Sequence, residues 1–437
     1  YKRQVFLILF FTGFLFLLAI GLPVAFSFLL INGIVVVFIM GTHAGPHQMI
    51  MNMFQSLTLF TLAPVPLFIL LGEVLFHSGM ALRALDVLSK LLGRLPGRLS
   101  ILANLGGTIF AALSGSPMAN TAMLGSILVP EMEKRGYSRL MTIGPIMATG
   151  GIAMIIPPSI LSVVYATIAE ISIAKLLIAG VIPGLIMAAN YMTYIISACI
   201  IKPELAPSYQ FKKTSKKEKF ILFMKHVAPL SILMFLVLGL IFLGVATPTE
   251  SAAVGVVGAL LMSIFYGGFA WTMIKESVTA TTRIAGMIFL ILAGSAIFSQ
   301  IMAYTGATRG ITELIVGLPL ASTLKILSML FIVFLLGIFI DQVSIMMITI
   351  PLFIPVVNAL GIDPYWFAIL MLIDLEIALT TPPFGVLLFI MKGVAPKGTT
   401  MGDIYRAVFP FVTCDSFAVF LVMLFPALAT WLPGLML

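Results

Sequence analysis

Charge is scarce in this 437-residue chain: Asp, Glu, Lys and Arg together make up 9% of it. Soluble domains carry about 25% charged residues, so a soluble enzyme, a nucleic-acid-binding domain and a disordered scaffold are all excluded. Cysteine is nearly absent. Cys199 and Cys414 both sit inside apolar runs, which excludes a disulfide framework. The four histidines (His43, His47, His77 and His226) show no HExxH or other metal spacing. No GxSxG or paired His/Cys arrangement is present either, and without a nucleophile–base pair an intramembrane enzyme is not expected. Nothing in the pattern suggests an oligomeric pore lining, so a channel is not expected.

What fills the chain instead is apolar: 61% of residues are hydrophobic and the mean hydropathy is +1.19. A spanning helix needs about 20 apolar residues, so roughly 11–12 spans plus re-entrant pieces are expected. The fold class read from this is an all-α polytopic membrane protein. Val5–Leu22 resembles a signal-peptide core, but no small-residue cleavage site follows and Pro23 leads into another apolar run, so it reads as a first span. The formal net charge of +8 reflects basic residues in short connections, the mark of cytoplasmic loops, and not nucleic-acid binding. The one strongly polar stretch, residues 202–225, carries Lys212, Lys213, Lys216, Lys217 and Lys219. It reads as a cytoplasmic linker between residues 1–201 and 226–437.

The two halves look like repeats. Pro23 and Pro248, Pro130 and Pro355, Pro157 and Pro382, and Pro158 and Pro383 all stand 225 residues apart, as do Gly136 and Gly361. About 0.6 proline coincidences at one offset would arise by chance on so sparse a background. Charge then suggests orientation. Arg83, Lys90, Arg94, Arg98, Lys134, Arg135 and Arg139 flank the first half's hairpin region, whereas the equivalent second-half connections offer only Arg309 and Lys325. By the positive-inside rule the two sets face opposite sides. The expectation is an inverted-topology repeat, an architecture typical of secondary transporters with sites at the midplane.

Helix breakers within apolar runs mark where such a site would sit, because unpaired backbone at membrane depth must be buried or line a wet cavity. In "ALSGSPMAN", Ser116 is a good N-cap and Pro117 a good first helical residue. This is the expected tip of a re-entrant helical hairpin, where Ser114, Ser116 and Asn120 could hold a hard cation such as Na+; a kinked structural span is the alternative. In "ATGGIAMIIPPS", Gly150, Gly151, Pro157 and Pro158 are expected to unwind a helix, leaving carbonyls for a cation and amides for an anion. The 225-residue step maps Ser116 onto Asp341, and Ile155 and Ile156 onto Thr380 and Thr381. Asp341 is an intramembrane carboxylate and so a functional candidate, for Na+ or a proton, with a buried cap as the alternative. Glu73, Glu250, Asp374, Glu376 and Asp415 are more often caps or helix–helix contacts. Arg309 and Arg283 could attract an anion, though arginine at a span boundary is usually an anchor. Residues 42–57 read as an interfacial amphipathic helix.

The segments "ALSGSPMANTAMLGSILVPEMEKRGYS", "IIPPSI", "ATPTESAAVG", "LGIFIDQVSIMMITIPLFIPVVNALGIDP" and "TTPPFGVLLFI" resemble the large membrane subunit (M component) of TRAP, or tripartite ATP-independent periplasmic, transporters. The resemblance covers essentially the whole chain. It implies an elevator-type fold with two re-entrant hairpins and two broken helices, located in a bacterial or archaeal cytoplasmic membrane. It also implies a four-helix small subunit (Q component) and a periplasmic substrate-binding protein (P component) as partners, with Na+ as the coupling ion and no organic cofactor. Carried over by position, Ser114, Ser116, Asn120, Gly150, Gly151, Met154 and Pro157 form a first Na+ site. Gly337, Asp341, Gln342, Thr380, Thr381 and Pro382 form a second. Ser116, Pro117, Ser159, Ser344 and Arg309 are the implied substrate contacts. The cargo is an organic acid: a C4-dicarboxylate, sialic acid, another sugar or keto acid, or a sulfonate. The chain departs from the family pattern at Ala378, where glycine is common, at Asp374, where asparagine is common, and at Pro117. The competing expectation is a self-sufficient Na+/anion symporter of the dicarboxylate type.

Overall fold

A computed structural model describes residues 12–14, 16–18, 20–92, 95–207, 215–383 and 385–436. Arg94, Lys212, Lys213 and the start of the first expected span, Val5–Leu22, lie outside the described residues. Every regular element described is helical. In chain order these are α1 (Val24–Met40), α2 (Ala44–Leu57), α3 (Pro64–His77), α4 (Met80–Leu91), α5 (Arg98–Ser114), α6 (Pro117–Lys134) and α7 (Arg139–Ile152). They continue with α8 (Ile160–Ile168), α9 (Ile173–Ala179), α10 (Val181–Ile201), α11 (Lys216–His226), α12 (Ala228–Phe242), α13 (Pro248–Phe265) and α14 (Trp271–Tyr304). The last are α15 (Ala307–Gly317), α16 (Ser322–Gly337), α17 (Gln342–Ala359), α18 (Pro364–Thr380), α19 (Val386–Val394), α20 (Met401–Leu424) and α21 (Ala427–Gly434).

The span count differs from the expectation. Among the described residues six helices are long and apolar enough to cross a bilayer, seven if the bent pair α11–α12 is one span. The apolar runs at 141–168 and 366–391 do not form single rods. Each is cut by a turn at its double proline, between α7 and α8 and between α18 and α19.

Local chemistry sets the helix ends. Thr247 and Glu250 make a reciprocal capping box at α13, and Thr400 and Asp403 make one at α20. Glu250 therefore serves as a cap. α2 has only Gly45 buried, as suits a helix lying at an interface. α18 is the opposite case: every residue from Phe367 to Thr380 is buried, as expected for a helix that is apolar all round.

Two sets of neighbours emerge from the packing. α14 lies against α1, α2 and α3, while α13 packs on α3 and α12. Elsewhere α7 packs on α5, α6 and α20, and α18 on α16, α20 and α7. α14 also touches α17, so the two sets meet there. The 225-residue step reappears in the helix boundaries. α6 spans 117–134 and α17 spans 342–359, α7 starts at 139 and α18 at 364, and both Pro–Pro bonds are cis.

Candidate functional site

The first tip forms where α5 stops at Ser114. Gly115 adopts φ +57°, a left-handed turn that favours glycine, and Ser116 then caps α6 by accepting a hydrogen bond from the Ala119 amide at 3.3 Å. Ser114 and Ser116 are half-buried and Pro117 is buried. A Cβ on Gly115 would stand 3.0 Å from the Pro158 carbonyl oxygen, so the tip rests directly on the turn between α7 and α8. The tip is thus a helix–turn–helix corner and not a kinked rod.

The first break begins later than the glycines suggest. Gly150 and Gly151 remain in α7, which ends at Ile152, and residues 153–159 are non-helical. The glycines serve close approach instead. A Cβ on Gly150 would lie 2.1 Å from Thr121 Oγ1, and one on Gly151 would lie 2.0 Å from Glu376 Oε1. Ser159 caps α8, accepting from the Ser162 amide at 3.1 Å. The Met154 carbonyl accepts from the Ser162 hydroxyl at 3.1 Å and also from Ser159 Oγ. Pro157 is buried beside them.

Asn120 ties tip to break. Its Nδ2 donates to the Gly107 carbonyl at 3.1 Å and the Thr149 carbonyl at 2.8 Å. Among the described residues its Oδ1 has no hydrogen-bond partner, and neither has Thr121 Oγ1, although both residues are fully buried. Buried acceptors are normally satisfied. Amide and hydroxyl oxygens such as these two, near the end of α7, are of the type that hard cations accept.

The second tip is built with a carboxylate. α16 ends at Gly337, where a Cβ would stand 2.3 Å from Ala378 Cβ, so the glycine lets α16 approach the Ala378 methyl of α18 closely. Asp341 caps α17: its Oδ1 accepts from the Ser344 amide at 3.1 Å and its Oδ2 from the Ser344 hydroxyl. Asp341 is half-buried, and Gln342 and Ser344 are buried. At the second break Thr380 Oγ1 donates to the Glu376 and Ile377 carbonyls, each at 3.1 Å, and Thr381 Oγ1 donates to the Ile377 carbonyl at 2.5 Å. Those bonds use the hydroxyl protons and leave oxygen lone pairs free. Pro382 is half-buried beside them.

Arg309 is not drawn into either tip. It is exposed on α15, paired with Glu313 at 2.7 Å, and lines an open cleft of about 520 Å³ with Thr308, Thr312 and Pro355.

Two arrangements are not foreshadowed by the sequence, although Glu376 and Asp415 stand out there singly as intramembrane acids. Thr121 is one. The other is an interior cluster in which the Tyr191 hydroxyl lies 3.2 Å from Glu376 Oε1 and bonds Asp415 Oδ1. All three are buried, and Glu376 Oε2 has no partner. Their separations of 185 and 224 residues leave no local trace. Asp374 Oδ2 is also unpartnered. Among the described residues no three His, Cys, Asp or Glu side chains group as metal ligands.

Apolar spans, helical tips and broken helices together define a multi-pass helical membrane transporter. Solved structures similar in fold include the Alcanivorax borkumensis YdaH transporter (TM-score 0.63, 14% identity, 87% of this chain and 88% of that one). Neisseria gonorrhoeae MtrF is another (TM-score 0.61, 13% identity, 89% and 85%). The chain belongs to the DctM-component family of tripartite ATP-independent periplasmic transporters, which matches residues 11–428. The C4-dicarboxylate TRAP transporter large permease protein of Pseudomonas aeruginosa is 31% identical over 384 residues, covering 88% of each chain. The isethionate TRAP transporter permease protein DctMQ of Oleidesulfovibrio alaskensis is 29% identical over 87% of this chain and 59% of that longer one. These relatives are named as transporter permeases.

Proposed function

We propose that this chain is the translocating subunit of a Na+-coupled importer that carries a small organic acid anion across a bacterial cytoplasmic membrane. The observation that carries the reading is the pair of orphaned buried oxygens, Asn120 Oδ1 and Thr121 Oγ1, beside the broken helix. One Na+ binds where the first tip meets the α7–α8 break, and a second binds between Asp341 and the α18–α19 break. The starts of α6, α8, α17 and α19 present unpaired amides, and helix N-termini favour anions. The cargo lies between them. Its chemistry follows that of the relatives, whose names specify a C4-dicarboxylate and isethionate, both small anions. A periplasmic binding protein delivers the cargo and a small four-helix subunit completes the membrane complex. The halves of the chain form an inverted repeat, and the tip-bearing helices slide as an elevator against α1–α3 and α12–α14. Na+ binding orders the tips before the anion is buried, so each ligand raises the other's affinity by the same factor.

The test is uptake by proteoliposomes holding this chain and its small partner. Radiolabelled C4-dicarboxylates and isethionate would be presented on the cognate binding protein, with an inward Na+ or K+ gradient. Uptake that needs both the binding protein and Na+ is the expected result. Uptake without the binding protein would show a self-sufficient symporter, and uptake indifferent to Na+ would remove the coupling assignment.

A further inference from the structure

α14 is longer than a membrane requires. Its 34 residues extend about 51 Å at 1.5 Å per residue, against a hydrocarbon core of about 30 Å. Residues 284–304 are nearly all apolar, whereas the first four turns carry Lys275, Glu276, Thr279 and Arg283. The surplus therefore stands at headgroup level. Thr272, Lys275, Glu276, Thr279, Ala280 and Arg283 recur at helical spacing on one face, and with His77 of α3 they line an open cleft of about 480 Å³.

Charge in that cleft is unevenly satisfied. His77 is held between two acids, 3.3 Å from Glu73 and 3.2 Å from Glu276. Lys275 and Arg283 are exposed, and among the described residues neither has a side-chain ion pair or hydrogen bond. They sit eight residues apart, about 12 Å along the axis. Further basic residues, Arg83, Lys90 and Lys219, stand at this end of the molecule. The Arg83 guanidinium donates to the Tyr266 carbonyl, a Cβ on Gly268 would meet the Ser78 carbonyl oxygen at 2.4 Å, and Lys219 Nζ reaches the Leu91 carbonyl at 3.1 Å. The corner before α14 is thereby locked to the corner that carries Arg83 and Lys90. By the positive-inside rule this end faces the cytoplasm, where the leaflet holds anionic lipid.

We propose that the cleft between α3 and the first four turns of α14 is a binding site for the headgroup of an anionic phospholipid. Lys275 and Arg283 receive the phosphate, and the exposed Met287 below them, on apolar α14, faces the acyl chains. A lipid is favoured over an acidic protein segment because the cations lie at headgroup depth, directly above an exposed apolar helix surface. The site also has a route to the transport machinery. Further along the same helix, Ser295 Oγ donates to the Met347 carbonyl of α17 at 3.0 Å, linking α14 to the helix that Asp341 caps.

The experiment uses the full chain purified in detergent. Retained lipid is counted by native mass spectrometry after titration with phosphatidylglycerol, phosphatidylcholine or inorganic phosphate alone. The expected result is one phosphatidylglycerol held per chain at this site, little phosphatidylcholine, and no competition from phosphate. The double variant Lys275→Ala/Arg283→Ala should weaken retention by roughly tenfold or more, since each basic side chain near an anionic surface contributes about 1 kcal/mol. Both residues are exposed, so its melting temperature in phosphatidylcholine should match the parent. Equal retention of phosphatidylglycerol by parent and variant would overturn the proposal. So would displacement by inorganic phosphate, or a variant that keeps its lipid but no longer associates with a small-subunit partner.

Discussion

The two tips solve the same geometric problem with different chemistry. At the first, an uncharged serine caps α6, a glycine makes the turn, and buried amide and hydroxyl oxygens are left over. At the second, a carboxylate caps α17 and takes both hydrogen bonds from a single serine. The breaks behind them differ in the same spirit. Gly180, between α9 and α10, lies so close to the first break that a Cβ would meet the Ile155 carbonyl oxygen at 2.1 Å. One 225-residue step later stands Tyr405, whose hydroxyl donates to the Pro383 carbonyl at 3.1 Å. The first break is closed by direct backbone contact and the second by a side-chain strut. Geometry is therefore less forgiving at the first site, and charge matters more at the second.

The strongest way to break that contrast is at the two closures. Gly180→Ala forces a carbon against a buried carbonyl and should lower stability by about 1–3 kcal/mol, the usual range for overpacking. Tyr405→Phe removes one hydrogen bond and should lose about 1 kcal/mol. Thermal midpoints of the purified variants compare them, and equal losses would show that the first break is not the tighter one. Charge is probed next. Asp341→Asn keeps a capping oxygen but loses the carboxylate, and the Na+ concentration needed for half-maximal uptake should rise about tenfold, or ~1.4 kcal/mol. Ser116→Ala should cost about 1 kcal/mol of stability through its cap and shift Na+ dependence less. A larger Na+ effect at Ser116 would invert the comparison.

Thr121→Val sharpens the first site alone. The shape is conserved and an unsatisfied buried hydroxyl disappears, so stability without Na+ should hold or rise by about 1 kcal/mol. The extra thermal protection conferred by Na+ should fall. Undiminished Na+ protection would remove Thr121 from the site. The smallest effect is expected at Arg309, which lies in neither tip. Arg309→Ala should leave the melting temperature unchanged, and any loss of anion uptake should vanish at high salt, where long-range attraction is screened.

Local signals made much of this legible in the sequence. Ser116 followed by Pro117 marks a helix start, Asp341 caps as its buried-cap alternative required, and the proline pairs 157–158 and 382–383 mark both breaks. The first break was placed three residues early because Gly150 and Gly151 read as helix breakers. Inside a packed bundle they stay helical and admit Thr121 and Glu376. The described residues hold fewer long uninterrupted apolar helices than the apolar runs suggest, because an apolar run records a segment suited to lipid or core and not that it is one helix. Thr121, Gly180, Tyr405 and the role of Tyr191 in joining Glu376 to Asp415 are not legible, because their partners are far along the chain and periodicity carries no information about such distant partners.

Residues 151 and 376 stand one 225-residue step apart and press against each other. A position that meets its own counterpart has space for a single large side chain, so the two halves cannot carry the same residue there. Glycine at both would open a void, and glutamate at both would force two acids into one buried space. A gene rebuilt from two identical copies of either half should therefore fail at this crossing before it fails anywhere on its surface.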